Sequence, residues 1–191
     1  MRICRIGNGC LSAVHFEKFS KLKEDTNGLV VFDRDGTLIE NVKGLSRNFS
    51  IKWLPDRLET LKFLTEQNFT IAVATNQGAI EEGMVSEPEV ISVNREIVCQ
   101  SAANEVDIWA IIFCPHGKNL SGRSCICRKP KPGMLIELVK LSGFKDSKPV
   151  VFFGDQATDL IAAQEANIGI EGILVNNNNF ATSVRRWADS I

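Results

Sequence analysis

The sequence predicts an α/β fold built on a mainly parallel sheet of about five strands. Apolar runs of strand length alternate with helical patterns, and a polar motif comes after each of the first four runs. At 191 residues and 44% apolar composition, the chain can bury one sizeable core. The strands run from Leu29 to Phe32, Thr70 to Ala74, Ile108 to Phe113, Pro149 to Phe153 and Gly172 to Val175. Between the first two, Pro55 opens a helix whose Leu58, Leu61 and Leu64 fall on one face. Ser86 is a candidate cap for a second helix reaching Ala103. A third helix, Gly133 to Leu141, follows Pro132 and stops at Ser142-Gly143, and a fourth spans Ala157 to Ala166. Residues 1–27 precede this pattern and read as an N-terminal extension with one short helix at Ala13 to Lys21. Asn176-Asn177-Asn178-Asn179 reads as a solvated loop.

Composition narrows the function classes. With 22 basic and 23 acidic residues the formal charge is -1, so the chain as a whole attracts neither nucleic acid nor an anionic membrane surface. No apolar stretch approaches the roughly 18 residues of a membrane span. The opening Met1-Arg2-Ile3-Cys4-Arg5-Ile6-Gly7-Asn8 lacks the apolar block of a secretory signal, so a cytoplasmic protein is expected. Cys4, Cys10 and Cys99 are scattered, whereas Cys114, Cys125 and Cys127 crowd one segment with His116, a pattern that favours metal over cross-links.

In an open parallel sheet, ligands bind beyond the carboxyl ends of the strands, so the chemistry should sit in the residues immediately after each run. The first run leads into Asp33-x-Asp35-Gly36-Thr37, which offers two carboxylates and a glycine that permits a sharp turn. Asp35-Gly36 between apolar residues is also a hairpin signal. A calcium loop fits worse, because Gly44 stands where its closing Glu belongs. After the second run comes Thr75-Asn76-Gln77-Gly78; after the third, the cysteine and histidine segment leading to Arg128-Lys129-Pro130; after the fourth, Gly154-Asp155-x-x-x-Asp159. Singly, Thr75-Asn76 could be a turn or helix cap, Lys129 a solvated charge and Asp155 the cap of the fourth helix.

Taken together and in this order, the four motifs resemble those of the haloacid dehalogenase (HAD) superfamily of phosphotransferases, across roughly residues 28–176. The resemblance implies a Rossmann-like three-layer sandwich and a HAD-like phosphatase domain over residues 28–191. It also implies roles. Asp33 would attack phosphorus and form an aspartyl-phosphate, and Asp35 would serve as general acid and then general base. Mg²⁺ would be held by Asp33, the Asp35 carbonyl and Asp155. Thr75, Asn76 and Gln77 would bind substrate, Lys129 would offset phosphoryl charge, and Asp159 would orient neighbours.

Cys114, His116, Cys125 and Cys127 lie within fourteen residues and can close a tetrahedral Zn²⁺ site; a disulfide or buried free thiols are the other readings. The segment from Cys114 through Met134 is similar to the zinc-containing branch that includes heptose bisphosphate and histidinol-phosphate phosphatases. There the loop would carry Arg128 and Lys129 into the site. About forty residues separate Asp35 from Thr75, which leaves little room for a lid, so a capless enzyme is expected. Arg128, and less clearly Lys118 and Arg123, would contact a second phosphate. The expected substrate is therefore a small sugar bisphosphate, with histidinol phosphate as the rival. A polynucleotide 3'-phosphatase or a non-catalytic zinc-stabilised module ranks lower. A monomer without nucleic-acid or membrane partners is expected.

Overall fold

A computed structural model of the chain describes residues 2–5, 13–23, 25–41, 50–118, 125–144 and 148–191. In chain order its elements are β1 (Arg2–Arg5), β2 (Ala13–Lys18), β3 (Leu29–Phe32), α1 (Arg57–Glu66), β4 (Thr70–Asn76), α2 (Glu87–Ala103), β5 (Ile108–Cys114), α3 (Gly133–Ser142), β6 (Val150–Gly154), α4 (Ala157–Ala166), β7 (Ile170–Leu174) and α5 (Phe180–Ala188). The seven strands form one sheet in the order β1-β2-β5-β4-β3-β6-β7. Strands β5, β4, β3, β6 and β7 run parallel, while β2 pairs antiparallel with β5 and β1 with β2.

Each central strand buries both faces, and alternate residues serve opposite layers. Leu29 and Val31 of β3, with Val150 and Phe152 of β6, pack beneath α3 and α4 against Met134, Leu138, Ala162 and Ala166. Val30, Phe32, Val151 and Phe153 face the other way, toward Leu61 and Leu64 of α1, Val93 and Ile97 of α2, and Phe180, Val184 and Trp187 of α5. This is the expected three-layer sandwich. Helix α2 starts as its sequence suggests: Ser86 and Glu89 form a reciprocal capping box.

Three segments differ from expectation, and the sheet has seven strands rather than about five: Arg2–Arg5 adds the edge strand β1, paired with β2. Residues 13–18 form strand β2 rather than a helix, because the edge of β5 presents a row of backbone groups that an antiparallel neighbour satisfies, and that pairing outweighs local helix propensity. The asparagine run leads into a helix that periodicity would have revealed, since Phe180, Val184 and Trp187 recur at helical spacing and are buried. Between Asp35 and Thr75 the described residues form an isolated bridge, Ile39 opposite Trp53, and helix α1, with no inserted domain among them.

The strand order reverses beside β3: β4 and β5 lie to one side, β6 and β7 to the other. Such a switch point opens a crevice beyond the strand ends. The Asp33 amide, donating to the Phe153 carbonyl at 2.9 Å, sits at its floor.

Candidate active site

Asp33, Thr75, Asn76, Cys114 and Asp155 all lie at the carboxyl ends of parallel strands, which brings together motifs far apart in sequence. Asp33 follows β3, Thr75 and Asn76 end β4, Cys114 ends β5 and Asp155 follows β6. Asp35-Gly36 does not make a two-residue hairpin. The chain coils through Gly36–Leu38, with the Leu38 amide donating to the Arg34 carbonyl at 2.9 Å. Gly36 has φ +85° there, and a Cβ on it would stand 2.6 Å from Asp155 Oδ2, so a side chain is excluded on both counts.

Lys129 is a buried charge, not a solvated one: it is only 4% exposed. Its Nζ lies 2.7 Å from Asp33 Oδ1 and 2.7 Å from Asp159 Oδ1, and donates to the Ala74 carbonyl at 3.0 Å. The Asn76 carboxamide clamps the Lys129 backbone from both sides, its Oδ1 accepting from the Lys129 amide and its Nδ2 donating to the Lys129 carbonyl, each at 3.0 Å. Burial acts to lower the Lys129 pKa, but Asp33 and Asp159 together outweigh it and raise it. Asp33 shows the complementary effect. Burial pushes its carboxyl up to about 6 against the opposing pull of Lys129, and the nearby Asp159 and Asp35 add to the rise.

Asp155 is half-buried, accepting from Thr37 Oγ1 at 3.3 Å and from Gln156 Nε2 at 2.7 Å, and it does not cap α4. That work falls to Asp159, whose Oδ2 accepts from the Gln156 amide at 3.0 Å. Asp33, Asp155 and Asp159 each bring a carboxylate oxygen within 4.8 Å of the others. Hard oxygen donors gathered this closely suit Mg²⁺. Asp159 is only 1% exposed and is held by Lys129 and the Gln156 amide, whereas Asp155 is half-buried, so Asp33 and Asp155 are the better placed pair.

Asp35 is held by one oxygen. Its Oδ2 receives Arg34 Nε at 3.0 Å, Arg34 Nη2 at 2.8 Å, Gln77 Nε2 at 2.8 Å and Thr75 Oγ1 at 3.3 Å. Gln77 also donates to Thr75 Oγ1 at 2.9 Å. Arg34 is itself buried, and its Nη1 donates to Asn94 Oδ1 of α2 at 2.8 Å.

Beside these groups, the four sulfur and nitrogen atoms of Cys114, His116, Cys125 and Cys127 converge. Their six mutual separations span 3.0 to 3.6 Å. A tetrahedron of that size has its centre about 2.0 Å from each vertex, close to the lengths of Zn–N and Zn–S bonds. The cysteines are free rather than paired. Hydrogen bonds from Cys114 and Cys127 draw the Cys125 thiol down to about 2, while the contact with Cys125 pushes Cys114 up to about 12 and Cys127 is raised as well. A cation bound between these three sulfurs would draw off their protons and hold them together as thiolates.

The loop beyond holds Arg128, whose amide donates to Cys125 Sγ at 3.3 Å and whose Nη1 donates to the His116 carbonyl at 2.7 Å. Lys118, Arg128, Lys129 and Lys131 line a cleft of about 600 Å³ together with Asn76, Gln156 and Thr158. Arg123 lies outside the described residues.

The model of the family described as polynucleotide kinase 3 phosphatase matches residues 28–189. A D-glycero-beta-D-manno-heptose-1,7-bisphosphate 7-phosphatase of Pasteurella multocida is 30% identical over 142 residues, covering 73% of this chain and 77% of that protein. The chain belongs to the HAD phosphatases. A D-glycero-alpha-D-manno-heptose-1,7-bisphosphate 7-phosphatase of Mycobacterium tuberculosis is 34% identical over 132 residues, 67% of either chain. Among solved structures, a D,D-heptose 1,7-bisphosphate phosphatase of B. bronchiseptica, complexed with magnesium and phosphate, superposes with a TM-score of 0.72 at 24% identity, covering 86% of this chain and 99% of that one. A HAD-like phosphatase from Mesorhizobium loti gives a TM-score of 0.79 at 20% identity, covering 93% of each chain.

Three groups of this HAD phosphatase were invisible to motif reading. Arg34 carries a signal in hindsight, since a residue between two clustered acids cannot be far from either. Asn94 carries none, being a polar residue on an otherwise ordinary helix. Arg57, at the start of α1, is buried. Its Nε donates to the Thr37 carbonyl at 2.8 Å, Nη1 to the Pro55 carbonyl at 2.7 Å and Nη2 to Asn177 Oδ1 at 2.9 Å, and its guanidinium lies 4.1 Å from the Phe180 ring centroid. It braces the turn that carries Thr37.

Proposed function

We propose that this phosphatase removes the 7-phosphate of D-glycero-D-manno-heptose 1,7-bisphosphate through an aspartyl-phosphate on Asp33. The observation that carries the substrate assignment is the cleft that reaches Lys129, which is lined besides by three cationic side chains, Lys118, Arg128 and Lys131. A bisphosphate brings a second dianion to balance them, whereas histidinol phosphate brings an amine that they repel. The relatives' names support the same choice. The polynucleotide activity in the family description is disfavoured, because among the described residues lining the cleft there is no aromatic side chain on which a base could stack.

In the first step an Asp33 carboxylate oxygen attacks phosphorus, the ester P–O bond breaks, and Asp35 gives its proton to the leaving alkoxide. In the second, Asp35 takes a proton from water, the water oxygen attacks phosphorus, and the Asp33–phosphorus bond breaks to release inorganic phosphate. Lys129 holds Asp33 in place and offsets charge on the phosphoryl group. Thr75 fixes Asp35 and lies at the same strand end as the transferring group, and Arg128 faces the second phosphate. Mg²⁺, when bound by Asp33, Asp155 and the Asp35 carbonyl, would offset repulsion between a carboxylate nucleophile and a phosphate dianion.

Zn²⁺ would occupy the closed site of Cys114, His116, Cys125 and Cys127, a structural role that leaves no position for substrate. Reduced cysteines of this kind suit a cytoplasmic setting, and we read the enzyme as a monomer. No helix among the described residues is long and apolar enough to cross a membrane. Phosphate release measured with both heptose bisphosphate anomers, histidinol phosphate and a 3'-phosphorylated oligonucleotide tests the assignment. The highest kcat/KM should belong to a heptose bisphosphate, and a preference for either of the other two would overturn it.

A further inference from the structure

Asp35 has two oxygens in unequal situations. Every donor that reaches its carboxylate among the described residues converges on Oδ2, and Oδ1 is buried without a hydrogen-bond partner. Two of those donations come from one guanidinium, and that guanidinium is anchored at its far end by Asn94 of α2. Both Arg34 and Asn94 are almost fully buried, at 3% and 1% exposure, so neither is a surface charge that happens to lie nearby. Burying an arginine is costly unless its fork is satisfied, and here its donors go to one carboxylate oxygen and one amide oxygen.

From this arrangement we infer that Arg34 and Asn94 are positioning residues for proton transfer: they pin Asp35 through Oδ2 and so hold in one orientation the carboxylate that gives the proton to the leaving oxygen and takes one from water. The inference rests on the aspartyl-phosphate reading above. Arg34 fixes the rotation of the carboxylate, and Asn94 fixes Arg34. Helix α2, which supplies no group to the reacting atoms, thereby sets the orientation of the acid. Gln77, just past the end of the neighbouring strand β4, steadies Oδ2 as well. A misplacement of about 1 Å at such a group costs on the order of 100-fold in rate.

The test separates a proton-transfer defect from a general loss of structure by using two esters. A sugar phosphate has a poor leaving group that needs a proton, whereas the nitrophenolate of p-nitrophenyl phosphate leaves without one. In Arg34→Gln, kcat on heptose 1,7-bisphosphate should fall about 100-fold at nearly constant KM. With p-nitrophenyl phosphate the same variant should release a burst of about one nitrophenolate per site, because Asp33 is still phosphorylated, and then turn over slowly, because water activation has been lost.

Asn94→Leu, which keeps Arg34 and guards against a misfolded Arg34 variant, should show the same pattern at smaller amplitude. Asn94→Asp, which keeps an acceptor oxygen, should recover most of that loss. Equal losses on both esters without a burst, or unchanged kinetics in Arg34→Gln and Asn94→Leu beside an active wild type, would overturn the inference alone. A wild type silent toward both esters would overturn the phosphatase reading and this inference with it.

Discussion

Replacing Lys129 by Met removes the only described cation in direct contact with two buried carboxylates while keeping the length of the side chain. Asp33 is 7% exposed and Asp159 is 1% exposed, and each loses an ion pair of 2.7 Å. Breaking a buried pair by deleting one partner costs about 3–5 kcal/mol. For a domain of this size that corresponds to a drop of roughly 6–20 °C in Tm. The loss should depend on pH in a defined direction. The folded-state pKa of Asp33, about 6, already stands above its ordinary 3.8, and removing Lys129 withdraws an influence that lowers it. A group whose folded pKa is raised contributes stability at low pH and loses it as pH rises through the folded value. The Lys129→Met deficit, followed by thermal unfolding without added Mg²⁺, should therefore be larger at about pH 7.5 than at about pH 5.5. A deficit under about 2 °C, or one that grows on acidification, would refute the reasoning that Lys129 neutralises this pair.

Two further outcomes are expected. Asp33→Asn is nearly isosteric and should lower kcat by roughly 10⁴-fold or more while the chain still folds and melts cooperatively, at a lower Tm because the ion pair with Lys129 is lost, and retained turnover would remove Asp33 from the nucleophile's role. Elemental analysis of the purified chain should find about one Zn per molecule, Cys127→Ser should lose it, and a fully active preparation free of zinc would refute the loop assignment.

The central part of the fold was legible because its signals are local. Leu29–Phe32 and Val150–Gly154 are short apolar runs, and Ala157–Ala166 is bounded by polar residues, so strand and helix ends fell within two residues of expectation. The reaction centre was legible because the fold places strand ends together, which turns scattered motifs into neighbours. What escaped was set by contacts distant in sequence. Strand β2 owes its conformation to the open edge of β5, which no window around Ala13 can reveal. The engagement of Arg34 by Asn94 joins residues sixty positions apart. The Asn76 carboxamide could be placed near substrate by motif, but its two-sided hold on the Lys129 backbone depends on the path of the loop after Cys127.

Arg57 gives α5 and the turn before it a stake in the chemistry. Its guanidinium touches Thr37 on one side and Asn177 and Phe180 on the other. During synthesis every acid and base of the reaction centre would emerge before that brace could close, since Asn177 and Phe180 come after all of them. A nascent chain halted ahead of Asn177 would hold the reactive groups yet lack the strut behind Thr37, and with it the support that reaches Asp155. Competence for turnover would then arrive late, with α5 rather than with the last catalytic side chain.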